Sequence, residues 1–414
     1  MRLVIGRLRV QVPQPALTST PRGPLMDRAI RLLAPLVATA LIWGSAFLGI
    51  RSFEGTAPEP DPVAQVMVVE TAPDLLVPRL DESSSGFATV PQRIRTCELQ
   101  PESVQSFAGT LSGVVVDGET GQQLLSIVPD APAPTASVVK VFTAVAALKV
   151  LGPDYRFTTE VVEGEPGEIF LVGSGDVTLT RAPGGNYYDS EASLLSLAEQ
   201  TAASANPLVP LTVKADGSRY EAFPTWDSSW RSGSAALGFI APVTALQVDG
   251  DRDQPAVRLS PRSMSPESRA IGWFADALRV VDPARQVLVG SPGPAPQDGR
   301  VVATVQSAPL DELIGIMLVD SDNSLAEVLA REVALALGES DIGLAIAEGA
   351  GIGADVLNEV SIRGGSGLSD STAIPHEVIA GLLGEINQDN LLRGVKDGLP
   401  VAGESGSLRN RFPR

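Results

Sequence analysis

Cysteine, histidine and lysine are scarce in this sequence. Cys97 is the single cysteine and His376 the single histidine among 414 residues, and only four residues are lysine. A lone cysteine excludes an intrachain disulfide and a zinc site built on paired cysteines, and a lone histidine excludes a two-histidine metal helix. A Ser-His-Asp triad could use only His376. A lysine at a catalytic spacing is informative here, because lysine can be deprotonated and arginine cannot.

Charge is distributed unevenly along the chain. The net charge is −18 at pH 7, yet residues 1–51 hold seven arginines and one acidic residue. The rest of the chain holds 24 basic and 48 acidic residues. No nucleic-acid partner is expected, because phosphate would be repelled by the acidic bulk of the protein.

Residues 32–50 form a stretch of 19 residues without a charged side chain, preceded by Arg28 and Arg31. Such a stretch is long enough to cross a bilayer, and basic residues favour the cytoplasmic side. We expect a single-pass signal-anchor in the cell membrane with the large domain outside the cytoplasm, or a secreted protein if the signal is cleaved. A buried core helix is disfavoured because Pro35 and the glycine at 44 weaken a soluble helix.

The segments on either side of this stretch differ in composition. Residues 1–31 make a basic, cytoplasmic N-terminus, in which Met26 is a candidate for the true start because MDRAIR is a conventional leader. Residues 51–96 are rich in proline, serine and acidic residues. That composition predicts a disordered tether between membrane and folded part.

Three segments follow in the folded part. A β-hairpin and then a buried apolar helix, with Thr135 as its N-cap, are predicted in the first segment. Short strand-like runs between turn residues predict a mostly β insertion in the second, with one helix near 265–281. Helical periodicity returns in the third. The segments are 97–154, 155–305 and 306–414.

Ser137 and Lys140 stand three residues apart at the start of the predicted helix. Both side chains then project from one face, and the amine can reach the hydroxyl. A lysine buried beside apolar residues loses hydration, so its charged form is disfavoured and it can act as a general base. Chance alone supplies roughly a third of a Ser-x-x-Lys motif in such a chain, so the position on a buried helix carries the interpretation.

A second polar motif, Ser321-Asp322-Asn323, lies between two helical runs. Taken alone it fits ordinary helix entry, because Ser324 and Glu327 form a capping box. Together with the Ser-x-x-Lys motif, it makes the pair of motifs found in β-lactamases and penicillin-binding proteins.

With these motifs the sequence resembles the low-molecular-mass class C penicillin-binding proteins, the D-alanyl-D-alanine carboxypeptidase/endopeptidases, over about residues 100–412. The resemblance implies an α+β fold: a serine penicillin-binding/β-lactamase-like domain of antiparallel sheet and helices, with a mostly β inserted region. The gap of 181 residues between Lys140 and Ser321 is what the inserted domains of this class imply. A class A β-lactamase, the alternative enzyme, has a much shorter gap. Further similar segments are LVGSGDVTL at 171–179, the helix pair at 309–331, GSGLS at 365–369 and LPVAG at 399–403.

The resemblance also implies an activity, that of a serine-type D-Ala-D-Ala carboxypeptidase. Its partners would be peptidoglycan stem peptides and β-lactams, and no metal or organic cofactor is expected. Ser137 would be the nucleophile, Lys140 would accept its proton, and Ser321 would relay a proton to the leaving amine. Asn323 would hold the substrate amide, and the backbone N–H of Ser137 would supply half of an oxyanion hole. The pattern makes no prediction of oligomeric state.

Two departures from the family pattern affect the expected activity. Gly364 stands where the family has the aspartate of D-G-S-G-L-S, and no Lys-Thr-Gly motif occurs in the sequence. In the family that motif follows the L-P-x-A-G segment on an edge strand, where it binds the substrate carboxylate. We therefore expect the chain as given to lack its C-terminal strands and to be catalytically weakened. The alternative function is a truncated, non-catalytic remnant or a cell-wall interaction module.

Overall fold

The computed structural model describes residues 112–127, 133–204 and 209–411. The predicted anchor and tether lie outside these residues. The described chain contains both helices and a mixed sheet, which confirms the α+β class. No helix in the described part is both long and apolar enough to cross a membrane.

The first strands form the predicted hairpin. Strand β1 (Gly113–Val116) pairs antiparallel with β2 (Gln123–Ile127). Asp117 holds the turn between them, because its Oδ1 accepts hydrogen bonds from the backbone N–H groups of Glu119 and Thr120 at 3.0 and 2.9 Å. Strand β3 (Ala133–Pro134) follows and pairs with a short strand much later in the chain.

Helix α1 (Val139–Leu151) runs through the core and is preceded by a 3-10 turn at Ala136–Val138. Its first ten residues are all buried, and it ends at Gly152, whose φ of 84° is left-handed. Thr135 stands at the N-cap of this turn, but its side chain caps no backbone N–H group. Its hydroxyl donates instead to the carbonyl of Ala136 at 3.4 Å.

The second segment contains five strands and two helices: β4 (Thr158–Glu163), β5 (Glu168–Val172), α2 (Leu194–Ser204), β6 (Leu211–Asp216), α3 (Pro266–Val281), β7 (Val287–Val289) and β8 (Val301–Gln306). The strands form a mixed sheet with the order β7-β6-β5-β4-β8. Strand β4 is antiparallel to its neighbours β5 and β8, whereas β5, β6 and β7 run parallel. Parallel neighbours need crossover connections, and α2 and α3 supply them.

Two details of this region differ from the sequence prediction. The first is α2, a second helix beside the predicted α3. The helix α2 buries Leu194, Leu197, Ala198 and Thr201, a spacing of three and four that marks one helical face. The strand-like runs at 243–251 and 255–260 form no strand. At 249–251 three successive residues have left-handed φ, which a strand cannot accommodate.

The third segment is mainly helical. Its elements are α4 (Leu310–Asp320), α5 (Asn323–Leu337), α6 (Ile342–Ala350), β9 (Ala373–Ile374), which pairs with β3, α7 (His376–Gln388) and α8 (Arg393–Gly398). Helix α1 packs against α5 and α6, so that its buried faces are covered by residues almost 200 positions later in the chain. His376 is the first residue of α7.

Candidate active site

Ser137 and Lys140 lie where the turn before α1 passes into the helix. Ser137 is exposed, whereas only 1% of Lys140 is accessible to solvent. Lys140 Nζ lies 3.3 Å from Ser137 Oγ. The helical spacing therefore places a buried amine beside a hydroxyl that substrate can reach.

Ser321 and Asn323 approach the same point from the junction of α4 and α5. Ser321 ends α4 in a left-handed conformation, with φ 56° and ψ 47°, and its hydroxyl donates to Ser137 Oγ at 2.9 Å. Asn323 Oδ1 accepts a hydrogen bond from Lys140 Nζ at 2.7 Å, and its Nδ2 donates to the carbonyl of Phe239 at 2.9 Å. The fold thus brings together all four residues singled out in the sequence.

The loop at 364–369 forms a further side of the site. The carbonyl of Ser366 accepts a hydrogen bond from Lys140 Nζ at 2.6 Å. Ser366 is itself fixed by Glu327 of α5, whose Oε1 accepts from the Ser366 N–H at 3.0 Å and from its hydroxyl at 2.7 Å. The sequence matched this loop to a family segment but gave Ser366 no role, because a backbone acceptor carries no residue-type signal. It placed Glu327 in a capping box with Ser324, whereas Asp322 caps α5 and Glu327 binds Ser366.

Gly367 allows this loop to lie against the start of α1. Its φ is 73°, and a Cβ at this position would lie 2.0 Å from the carbonyl oxygen of Ala136, the residue before Ser137. Backbone atoms cannot yield as a flexible side chain can. A glycine is therefore required where the loop meets the residue that precedes Ser137.

Burial lowers the pKa of Lys140 from 10.5 to about 8, because the charged amine loses its hydration. The negative charges of Asp322 and Glu327 act in the opposite direction and limit the decrease. A pKa of about 8 leaves a substantial neutral fraction near neutral pH, which is what a general base requires.

Asp322 supports the junction between α4 and α5. Its Oδ1 caps α5 by accepting from the N–H of Leu325 at 3.0 Å, and its Oδ2 accepts from Arg252 Nη2 at 3.1 Å. Burial alone would raise the pKa of Asp322, but the positive charges of Arg252 and Arg262 outweigh it and hold the pKa below 3.8. Asp322 is therefore ionised beside Lys140 near neutral pH.

An exposed serine in contact with a buried, partly neutral lysine and a second serine is the arrangement that a hydrolase with a serine nucleophile and a lysine base would use for acyl transfer to a hydroxyl. Among the described residues, no group of three or more His, Cys, Asp or Glu side chains is arranged to hold a metal ion.

The profile of the D-Ala-D-Ala carboxypeptidase 3 (S13) family matches residues 102–273 and 253–414. The chain belongs to this family. It is 36% identical over 317 residues to carboxypeptidase DacB of Mycolicibacterium smegmatis, an alignment that covers 73% of this chain and 67% of that protein. It is 29% identical to the D-alanyl-D-alanine carboxypeptidase of Actinomadura sp. (strain R39), over 73% of this chain and 70% of that one.

The fold is similar to that of penicillin binding protein 4 (dacB) from Haemophilus influenzae. The TM-score is 0.60 at 18% sequence identity, and the match covers 72% of this chain and 80% of the other. The architecture is therefore that of a penicillin-binding protein, and the chain is a D-Ala-D-Ala carboxypeptidase by family.

Proposed function

We propose that the protein hydrolyses the D-Ala-D-Ala bond of peptidoglycan stem peptides through an acyl-enzyme on Ser137, and that β-lactams acylate the same residue. The observation that carries this proposal is the convergence of Lys140 Nζ and Ser321 Oγ on Ser137 Oγ, at 3.3 and 2.9 Å. The family membership supplies the class of substrate.

The surroundings of Lys140 indicate how it acts as the base. A neutral amine has two N–H groups and one lone pair. The two short contacts, to Asn323 Oδ1 at 2.7 Å and to the Ser366 carbonyl at 2.6 Å, use both N–H groups. The lone pair is then left for the third neighbour, Ser137 Oγ, whose proton it can accept.

The reaction follows from these contacts. Ser137 Oγ forms a bond to the carbonyl carbon of the penultimate D-Ala while its proton moves to Lys140. The C–N bond then breaks, and the departing amine of the terminal D-Ala takes up the proton that Lys140 accepted. The Ser321 hydroxyl, which lies 2.9 Å from Ser137 Oγ, relays this proton. Water hydrolyses the Ser137 ester and releases the shortened peptide.

Labelling with a fluorescent penicillin and mapping the modified peptide tests the proposal. We expect the adduct on Ser137, and we expect release of D-Ala from a peptide ending in D-Ala-D-Ala. Lys140→Arg should abolish labelling because a guanidinium cannot accept the proton. An adduct on Ser321 or Ser366 would contradict the assignment, and fast turnover of the penicillin would favour a β-lactamase instead.

We also propose that the enzyme works outside the cytoplasm, held at the membrane through residues 32–50. The uncharged stretch and the arginines before it support this location. Protease added to wall-free cells should remove the catalytic domain while leaving a cytoplasmic marker intact. Full protection of the domain would contradict the proposal, and its recovery from the medium would indicate signal cleavage.

A further inference from the structure

Side chains from a distant part of the chain bind the residues on either side of Ser321. We infer that Tyr187, Tyr188 and Arg252, all from the segment 155–305, are positioning residues that hold Ser321 against Ser137. The inference deepens the proposed function and rests on it, because the position of Ser321 matters only if Ser137 is the nucleophile.

The backbone of Ser321 needs external support. A residue with a Cβ adopts φ near 56° only infrequently, since the left-handed region is crowded for side chains. Its hydroxyl must nevertheless lie 2.9 Å from Ser137 Oγ. A conformation that is intrinsically disfavoured persists only when the neighbouring residues are held in place.

Both sequence neighbours of Ser321 are held by the tyrosine pair. The hydroxyl of Tyr187 donates to Asp320 Oδ2 at 2.9 Å, on the α4 side. The hydroxyl of Tyr188 donates to Asp322 Oδ2 at 3.1 Å, on the α5 side. The two rings are in contact, with centroids 4.9 Å apart, so they hold the two carboxylates as one unit.

Arg252 contacts both tyrosines and Asp322. It is 1% exposed, and its Nη2 donates to Asp322 Oδ2 at 3.1 Å. Its guanidinium lies 4.0 Å from the ring centroid of Tyr187 and 4.7 Å from that of Tyr188. Its Nη1 and Nε donate to the carbonyls of Asp249 and Arg258 at 2.9 and 3.3 Å. The bond to Asp249 thus fixes the guanidinium from outside the junction that it supports.

The hydrogen bonds of the two tyrosine hydroxyls end on the residues directly before and after Ser321, which distinguishes this arrangement from ordinary packing. Another tyrosine–carboxylate bond ends on α5, where the hydroxyl of the partly buried Tyr155 donates to Glu332 Oε2 at 2.7 Å, eleven positions after Ser321. Tyr155 thus offers a matched control, in which loss of a tyrosine hydroxyl removes a bond to the same helix far from the site.

The test compares Tyr187→Phe, Tyr188→Phe and Tyr155→Phe in the full chain, by the rate constant for acylation with a fluorescent penicillin. We expect the first two variants to acylate roughly tenfold to hundredfold more slowly, as misplacement of a catalytic group by about 1 Å does, while the concentration for half-saturation stays unchanged. Tyr155→Phe should change the thermal midpoint without a comparable change in rate.

A double-mutant cycle separates positioning from general stability. In a Ser321→Ala background, Tyr187→Phe and Tyr188→Phe should have no further effect on the rate, because the group that they position is gone. Three results would each overturn the inference while leaving the proposed function intact. They are an equal loss of acylation rate in the Ser321→Ala background, an equal loss of rate from Tyr155→Phe, and unchanged rates in Tyr187→Phe and Tyr188→Phe. A wild-type chain with no adduct on Ser137 would overturn both.

Discussion

The depressed pKa of Lys140 predicts how the acylation rate depends on pH. The base must be neutral to accept the proton of Ser137, and burial brings its pKa from 10.5 to about 8. The acylation rate should therefore increase about tenfold per pH unit below pH 8 and become constant above it. Asp322 and Glu327 are the carboxylates whose charge faces this amine, and Asn323 and Ser366 supply its neutral acceptors.

The size of the effect follows from the shift. At pH 7 a lysine with a pKa of about 8 is neutral in roughly one molecule in ten, whereas an ordinary lysine would be neutral in roughly one in three thousand. Burial thus supplies about a 300-fold larger population of the reactive form. The same shift corresponds to about 3 kcal/mol, which is the free energy that folding expends to keep the amine out of water.

The assay is the second-order rate constant for labelling of Ser137 between pH 6 and 10, corrected for the hydrolysis of free penicillin. Thermal unfolding at each pH serves as the control for loss of structure. A rate that is constant between pH 6 and 9, or one that still rises tenfold per unit at pH 10, would refute the reasoning, because neither fits a base that is neutralised near pH 8.

Three further results are expected. Glu327→Gln removes an anion that favours the charged amine, so the midpoint of the acylation profile should move to lower pH, whereas Glu332→Gln, on the same helix, should leave it in place. Gly367→Ala should abolish labelling and destabilise the fold, because the loop has no space for a Cβ. As a control, Gly381→Ala lies on an open face of α7. It should raise the free energy of unfolding, measured by urea denaturation, by up to about 1 kcal/mol. The pKa of Lys140 is lower in the folded than in the unfolded state, so the unfolded state binds more protons and stability rises with pH. We expect the difference in unfolding free energy between the wild type and Lys140→Met to increase by about 3 kcal/mol, in favour of the wild type, between pH 7 and 11.

The sequence predicted local contacts better than distant ones. Ser137 and Lys140 could be paired because three residues on a helix define a common face. The approach of Ser321 and Asn323 to that pair came from the resemblance alone, since no spacing relates residues more than 180 positions apart. Arg252 was not foreseen, because its segment at 249–260 is irregular and its strand-like composition favoured a wrong assignment.

The fold followed the same rule. The hairpin β1–β2, helix α1 and the break between α4 and α5 were predicted from turn residues and periodicity. The parallel pairing of β5, β6 and β7 was not predicted, because strand composition does not encode which strands become neighbours. Helix α2 showed the correct spacing of apolar residues, but the turn-rich residues before it concealed the pattern.

The contacts of Lys140 imply a minimum delay during synthesis before the active site can form, because its partners are made much later than Lys140 itself. Its amine binds the carbonyl of a residue 226 positions later and the side chain of one 183 positions later. At about 5–20 residues per second, roughly 10–45 s of synthesis separate Lys140 from Ser366. Until then the amine is hydrated and has its ordinary pKa, so Ser137 has no effective base. On the proposed mechanism, we therefore expect a growing chain not to react with β-lactams until residues 306–414 have folded against helix α1.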